Sequence, residues 1–97
     1  MAIGMIMEFD GFAQENYDAV SSEMNWPENW PDGLRFHVAG TANGGMRIVE
    51  IWDSREQHDS WMQNTVNPAI QRAASEAVAS SPQPRFTEFA VFSQESR

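Results

Sequence analysis

The chain has no cysteine in its 97 residues. Disulfides, thiolate nucleophiles and thiolate metal sites are therefore excluded, and a reducing, cytoplasmic setting is the expectation. Positive charge is scarce as well. Six basic residues stand against fourteen acids, a net charge of −8, and no basic stripe offsets the excess. Such a surface repels phosphate backbones and anionic membranes, so neither nucleic acid nor membrane is expected as a partner. Long apolar runs are missing: MAIGMIMEFD meets Glu8 early and has no basic region ahead of it, which argues against a signal peptide or membrane span.

Familiar catalytic signatures are also absent. There is no Gly-x-Ser-x-Gly elbow, no legible Ser/His/Asp set, and Gly44-Gly45 reads as a hairpin turn rather than a phosphate cradle. The two histidines lack His-x-His or His-x-x-x-His spacing, so a metal site built from carboxylates and His37 is a poor fit. No bound cofactor is expected.

What the chain does have is apolar content sufficient for one globular domain over residues 1–97: 41% hydrophobic residues, with four Trp and six Phe. Strands are expected from Met1 to Phe9, Leu34 to Thr41, Met46 to Asp53 and Phe86 to Phe92. The Ala-Asn-Gly-Gly stretch suits the hairpin between the second and third. A first helix carries Phe12, Tyr17, Val20 and Met24 on one stripe, Phe12 and Tyr17 at staple spacing around the poor N-cap Ala13. The second helix starts at the Ser54 cap with Gln57 as capping-box partner, and Asn67-Pro68 should kink or restart it before the Ala-rich segment to Ala79. The order β-α-β-β-α-β predicts an α+β, ferredoxin-like antiparallel sheet with both helices on one face and strands ordered 4-1-3-2.

Period-two reading sorts the strands. The uniformly apolar set is Ile3, Met5, Met7, Phe9, Leu34, Phe36, Val38, Val49, Ile51, Phe89 and Val91, expected beneath the helices. The mixed set includes Glu8, Arg35, His37, Glu50, Trp52 and Glu88, expected on the open face. A half-apolar face is rarely left bare, so a second copy packed sheet to sheet is expected, giving a homodimer around an enclosed cavity. Enclosure disfavours a charged carboxylate, and His37 could share a proton with one.

Three residues from the loop NWPENWPDG to the strand RFHVAG frame the question of a pocket. Trp26 and Trp30 each precede a proline, which biases them to extended backbone. They are either a flap over the pocket mouth or plain packing. His37 is either a structural histidine or a proton-transferring one. Trp52 and Trp61 are either packing residues or rings that stack on a ligand. His58, beside Asp59, reads as solvated or capping.

The runs WPDGLRFHVAG, GGMRIVEIWDSREQHDSWMQNTVNPAI and FTEFAVF, with the earlier QENYDAV helix, resemble small proteins of the dimeric α/β-barrel superfamily, of the antibiotic-biosynthesis-monooxygenase-like type. The resemblance extends over nearly the whole chain. It implies the dimer, and in several relatives a pocket between sheet and helices. It transfers no catalytic set. Haem-degrading relatives use an Asn on the first strand and a Trp and a His on the second helix. Here the first strand has no Asn, and His58 lies three positions before Trp61.

The functional expectation is a cofactor-independent oxygenase or isomerase acting on a small aromatic or hydrophobic molecule, with His37, Glu8 and Glu50 as acid–base residues. Trp30, Arg35, Trp52, Trp61 and Glu88 would contact the substrate. The alternatives are a non-catalytic ligand-binding or stress-associated domain and, below it, an interaction protein with a filled barrel.

Overall fold

The computed structural model describes residues 2–73 and 84–97. Strand β1 (Ile3–Asp10) leads through Gly11 to helix α1 (Gln14–Met24), and the tryptophan loop follows. Strands β2 (Leu34–Ala42) and β3 (Gly45–Trp52) form a hairpin. Helix α2 (Arg55–Trp61), a π-helical turn (Met62–Val66) and α3 (Asn67–Ala73) run on without a break, and β4 (Arg85–Ala90) returns to the sheet. Every pairing is antiparallel, in the order β2-β3-β1-β4. This is the ferredoxin-like α+β arrangement the sequence predicts. No helix among the described residues is long and apolar enough to cross a membrane.

Local chemistry explains the element ends. Asn43 and Gly44 both take positive φ, 51° and 76°, as a tight two-residue hairpin requires. Ala13 caps α1 without a side-chain acceptor, and Asn16 compensates by accepting the Ala13 amide at 2.8 Å. Ser54 Oγ accepts the Gln57 amide at 3.3 Å and caps α2 as expected.

Asn67 does not restart the second helix. Its backbone is helical (φ −61°, ψ −43°). Pro68 has no N–H to offer the preceding turn, and the chain absorbs the missing bond by widening into the π turn just before it. The Ala-rich helix is seen as far as Ala73; its expected continuation to Ala79 lies outside the described residues.

The register reverses the predicted faces on three strands. Met5 pairs with Glu50 and Glu50 with His37; Met7 pairs with Ile48 and Ile48 with Ala39. Residues opposite one another share a face, so His37, Glu50, Met46, Ile48 and Trp52 lie under the helices with Met5, Met7 and Phe9. Phe36, Val38, Val49 and Ile51 instead share the open face with Gly4 and Ile6. Phe89 joins them, its ring lying across Gly4 where a Cβ would stand. Leu34 alone of its set stays inside on β2, because a bulge between Leu34 and Phe36 switches the alternation.

The error has a physical source. Choosing the more apolar set as core assumes that the buried face carries no polar group. Here that face holds the site, and the more apolar one is the open one.

Candidate functional site

The helix-side core is built on Met5, Met7, Phe9, Phe12, Met46, Ile48 and Met62. Above it, between the sheet, α1 and the π turn, lies a cavity with about 60 Å³ accessible to the centres of water molecules. That is room for several waters, and a ring-sized molecule needs the flexible methionine side chains of its walls to move aside. Its walls are mostly thioether, aliphatic and aromatic, with His37, Glu50, Tyr17 and Ser21 as the polar exceptions. No arginine lines it, and the chain contains no lysine. Carboxylates and phosphates would find no counter-charge in these walls.

A chain of side-chain hydrogen bonds runs along one wall. Trp52, completely buried at the end of β3, donates its indole N–H to Glu50 Oε1 at 3.0 Å. Glu50 Oε2 lies 2.6 Å from His37 Nδ1. His37 Nε2 lies 2.8 Å from the Tyr17 hydroxyl on α1, and Trp26 donates its indole N–H to that hydroxyl at 3.0 Å. Three elements and one loop are thus tied into one row. Glu50 is 4% exposed, so removing either member of the pair would strand the other in a medium that penalises it.

The loop geometry explains how Trp26 arrives there. Asn25 ends α1 in the left-handed conformation (φ 54°, ψ 44°), and the Trp26 amide bonds back to the Ser21 carbonyl at 2.9 Å. That turn folds the indole over α1 and against the His37 ring, centroids 4.7 Å apart. Trp30 stacks on its outer side at 5.1 Å and donates to the Leu34 carbonyl at 2.7 Å. Trp26 therefore forms part of the cavity wall, and Trp30 backs it from solvent.

Burial, above all, raises the Tyr17 phenol above its ordinary 10.0; the negative charges of Glu50 and Asp18 act in the same direction, opposed by hydrogen bonds with Trp26 and Ser21. The phenol keeps its proton at neutral pH.

The structure brings together only some of the residues expected at the site. His37, Glu50 and Trp61 line the cavity, and Trp52 sits behind Glu50. Glu8 does not join them. It projects from the open face, paired with Arg47 at 3.3 Å and Arg85 at 3.4 Å, because one step along β1 from Met7 reverses the face. Arg35 is exposed and paired with Asp53. Glu88 shares the register row of Met5, Glu50 and His37 but pairs with Arg55 at 3.4 Å near the surface.

His58 is buried rather than solvated. Its Nδ1 lies 3.0 Å from Asp59 Oδ1, its ring stands edge-on to Trp52 at 5.7 Å, and its Nε2 has no hydrogen-bond partner among the described residues. No group of three or more His, Asp or Glu side chains suited to a metal ion occurs among the described residues.

Tyr17 and Trp26 escaped the sequence reading as polar participants. Tyr17 was legible only as an apolar stripe member, although it is the chain's single tyrosine and carries the stripe's one hydroxyl.

Several solved structures share the fold over almost the full chain. A protein of Chloroflexus aurantiacus J-10-fl with a provisional antibiotic biosynthesis monooxygenase name matches at 17% identity and TM-score 0.65, covering 99% of this chain and 98% of its own. The cofactor-independent oxygenase SnoaB of Streptomyces nogalater matches at 10% identity and TM-score 0.64, with 96% and 95% covered. A dimeric protein of unknown function and ferredoxin-like fold from Bacteroides fragilis NCTC 9343 matches at 8% identity and TM-score 0.64, with 93% and 96% covered. No family model and no curated protein matches the sequence. The chain thus has the fold of the antibiotic-biosynthesis-monooxygenase-like, ferredoxin-like proteins, as the sequence resemblance implies.

Proposed function

We propose that this protein binds a small, flat, neutral hydrophobic molecule between sheet and helices, and that the Glu50–His37 pair acts on it as an acid–base couple. The observation that carries this reading is the 2.6 Å contact between His37 Nδ1 and a nearly fully buried Glu50 in the wall of an apolar cavity. A carboxylate behind an imidazole orients it and stabilises its charged form, the arrangement general-base catalysis uses. Proton abstraction without a bound cofactor fits an isomerase. With molecular oxygen as co-reactant it fits a cofactor-independent oxygenase, the activity named for SnoaB.

The working unit we propose is a homodimer. The open face presents Ile6, Phe36, Val38, Val49, Ile51 and Phe89, with Phe36, Val38 and Phe89 each at least 40% exposed. Four strands about 4.8 Å apart and some eight residues long span roughly 500 Å² in projection, which side-chain relief brings toward the ~800 Å² per partner of a standard interface. A second copy supplies the same apolar surface by symmetry.

One observation favours the non-catalytic reading: both nitrogens of His37 already have partners, as in a structural histidine. Oxygen uptake with 1,4-naphthohydroquinone, above spontaneous autoxidation, separates the two. If the protein is catalytic, His37→Ala lowers the rate by about 10²–10⁴-fold with its fold intact. If wild type binds the hydroquinone without turnover, the ligand-binding domain is the correct reading. A His37→Ala protein that unfolds or monomerises would make the histidine structural.

A further inference from the structure

The two contacts that fill His37 also raise the question of which group a ligand meets. Nδ1 is taken by Glu50 and Nε2 by Tyr17, so no ring nitrogen is free to approach a ligand in the cavity. The directions of the bonds can be worked out from the ends of the row. Both terminal partners are indoles, and an indole N–H only donates. Trp26 therefore donates to the Tyr17 oxygen, and Trp52 to Glu50. For each donor in the row to find an acceptor within it, the Tyr17 O–H must point at His37 Nε2 and the His37 Nδ1–H at Glu50. An Nε2–H histidine would leave the Tyr17 hydroxyl proton without a partner in the row.

The geometry points to Tyr17 as the catalytic group that exchanges a proton with the ligand, with His37 and Glu50 as the relay behind it and Trp26 as a positioning residue. This rests on the acid–base reading above and specifies which atom performs it. Tyr17 lines the cavity, and of its oxygen's two lone pairs Trp26 holds one, so a ligand proton takes the other by displacing the Ser21 hydroxyl from it. The ligand class follows: a neutral molecule with one acidic C–H or O–H, a ketone with an enolisable carbon or a phenol.

The step balances within the row. The ligand's C–H or O–H bond breaks and its proton joins the Tyr17 oxygen, while the proton already on Tyr17 passes to His37 Nε2. The ligand keeps the electron pair as an enolate or phenolate, and the resulting imidazolium stands against the Glu50 carboxylate. Reversal returns the proton, to the same atom or, in an isomerisation, to another. The raised affinity of Tyr17 for its proton keeps the donor loaded at neutral pH, and the Trp26 N–H stabilises the oxygen while protons pass through it.

Two measurements test this. In 15N-histidine NMR of the wild-type protein, His37 should carry its proton on Nδ1, with Nε2 as acceptor; a protonated Nε2 in neutral His37 overturns the proposal without any variant. The second is deuterium uptake from D2O into the acidic methylene of 2-tetralone, a flat neutral ketone. Wild type should accelerate it, Tyr17→Phe should lose about 10²–10⁴-fold of that acceleration, and Trp26→Phe roughly tenfold. Exchange at the wild-type rate in Tyr17→Phe but not in His37→Gln would overturn Tyr17 while leaving the acid–base reading standing. A wild type that accelerates nothing would remove both. Should Tyr17→Phe fail to fold, the wild-type tautomer decides.

Discussion

Trp52→Ala is expected to cost about 3–5 kcal/mol, a large part of the 5–15 kcal/mol that holds a domain of this size together. Trp52 is the largest fully buried side chain described, at 0% exposure. It closes the sheet end between Ile3 and Leu34 and supports the His58 ring edge-on. Its removal opens a cavity and takes the only indole donor from Glu50 Oε1. Trp52→Phe separates the two effects. It keeps most of the volume, loses the N–H, and should cost about 1–3 kcal/mol for the unpaired acceptor. Urea unfolding followed by far-ultraviolet circular dichroism, at fixed protein concentration because the proposed dimer would add to stability, measures both. A Trp52→Ala loss under about 1 kcal/mol would mean that the residue is not the closed end of the core.

Val38→Asp should convert the proposed dimer to monomer while leaving the subunit folded. Val38 is 48% exposed in the subunit, so a carboxylate there costs the isolated chain about 0.5 kcal/mol or less. Across a two-fold interface each copy would bury its new charge, which stands in the row of its own Val49 and Ile6, against the apolar face of the other. Both desolvation and like-charge repulsion then oppose association. Light scattering should give twice 11.0 kDa for wild type and 11.0 kDa for the variant. A monomeric wild type, or a Val38→Asp dimer of unchanged affinity, would place the interface elsewhere.

The fold was legible in the sequence because each element carries its own chemistry. The Ser54 cap, the Asn43-Gly44 turn and the period-two strands act locally and are written locally. The faces were not, because alternation tells which residues travel together but not which side they take. On β1 the two criteria agree, so Met5, Met7 and Phe9 were placed correctly. On β3 the buried row contains Glu50, whose partners His37 and Trp52 make burial tolerable; only the three-dimensional pairing reveals that compensation.

The site divided in the same way. His37 and Glu50 stood out as ionisable residues in strands and do pair. Glu8, equally conspicuous, faces away by one residue of register. Tyr17 and Trp26 meet across nine positions through a left-handed Asn25, a turn with no strong sequence signature.

The chain's methionines offer the most direct test of where a ligand binds. Of the six, Met7, Met24, Met46 and Met62 line the cavity, while Met5 lies outside its wall. With 13C-methyl methionine, titration of 2-tetralone should shift the four cavity methyls together and leave Met5 least moved. Shifts absent from those four while the ligand binds would place the binding site outside the space between sheet and helices.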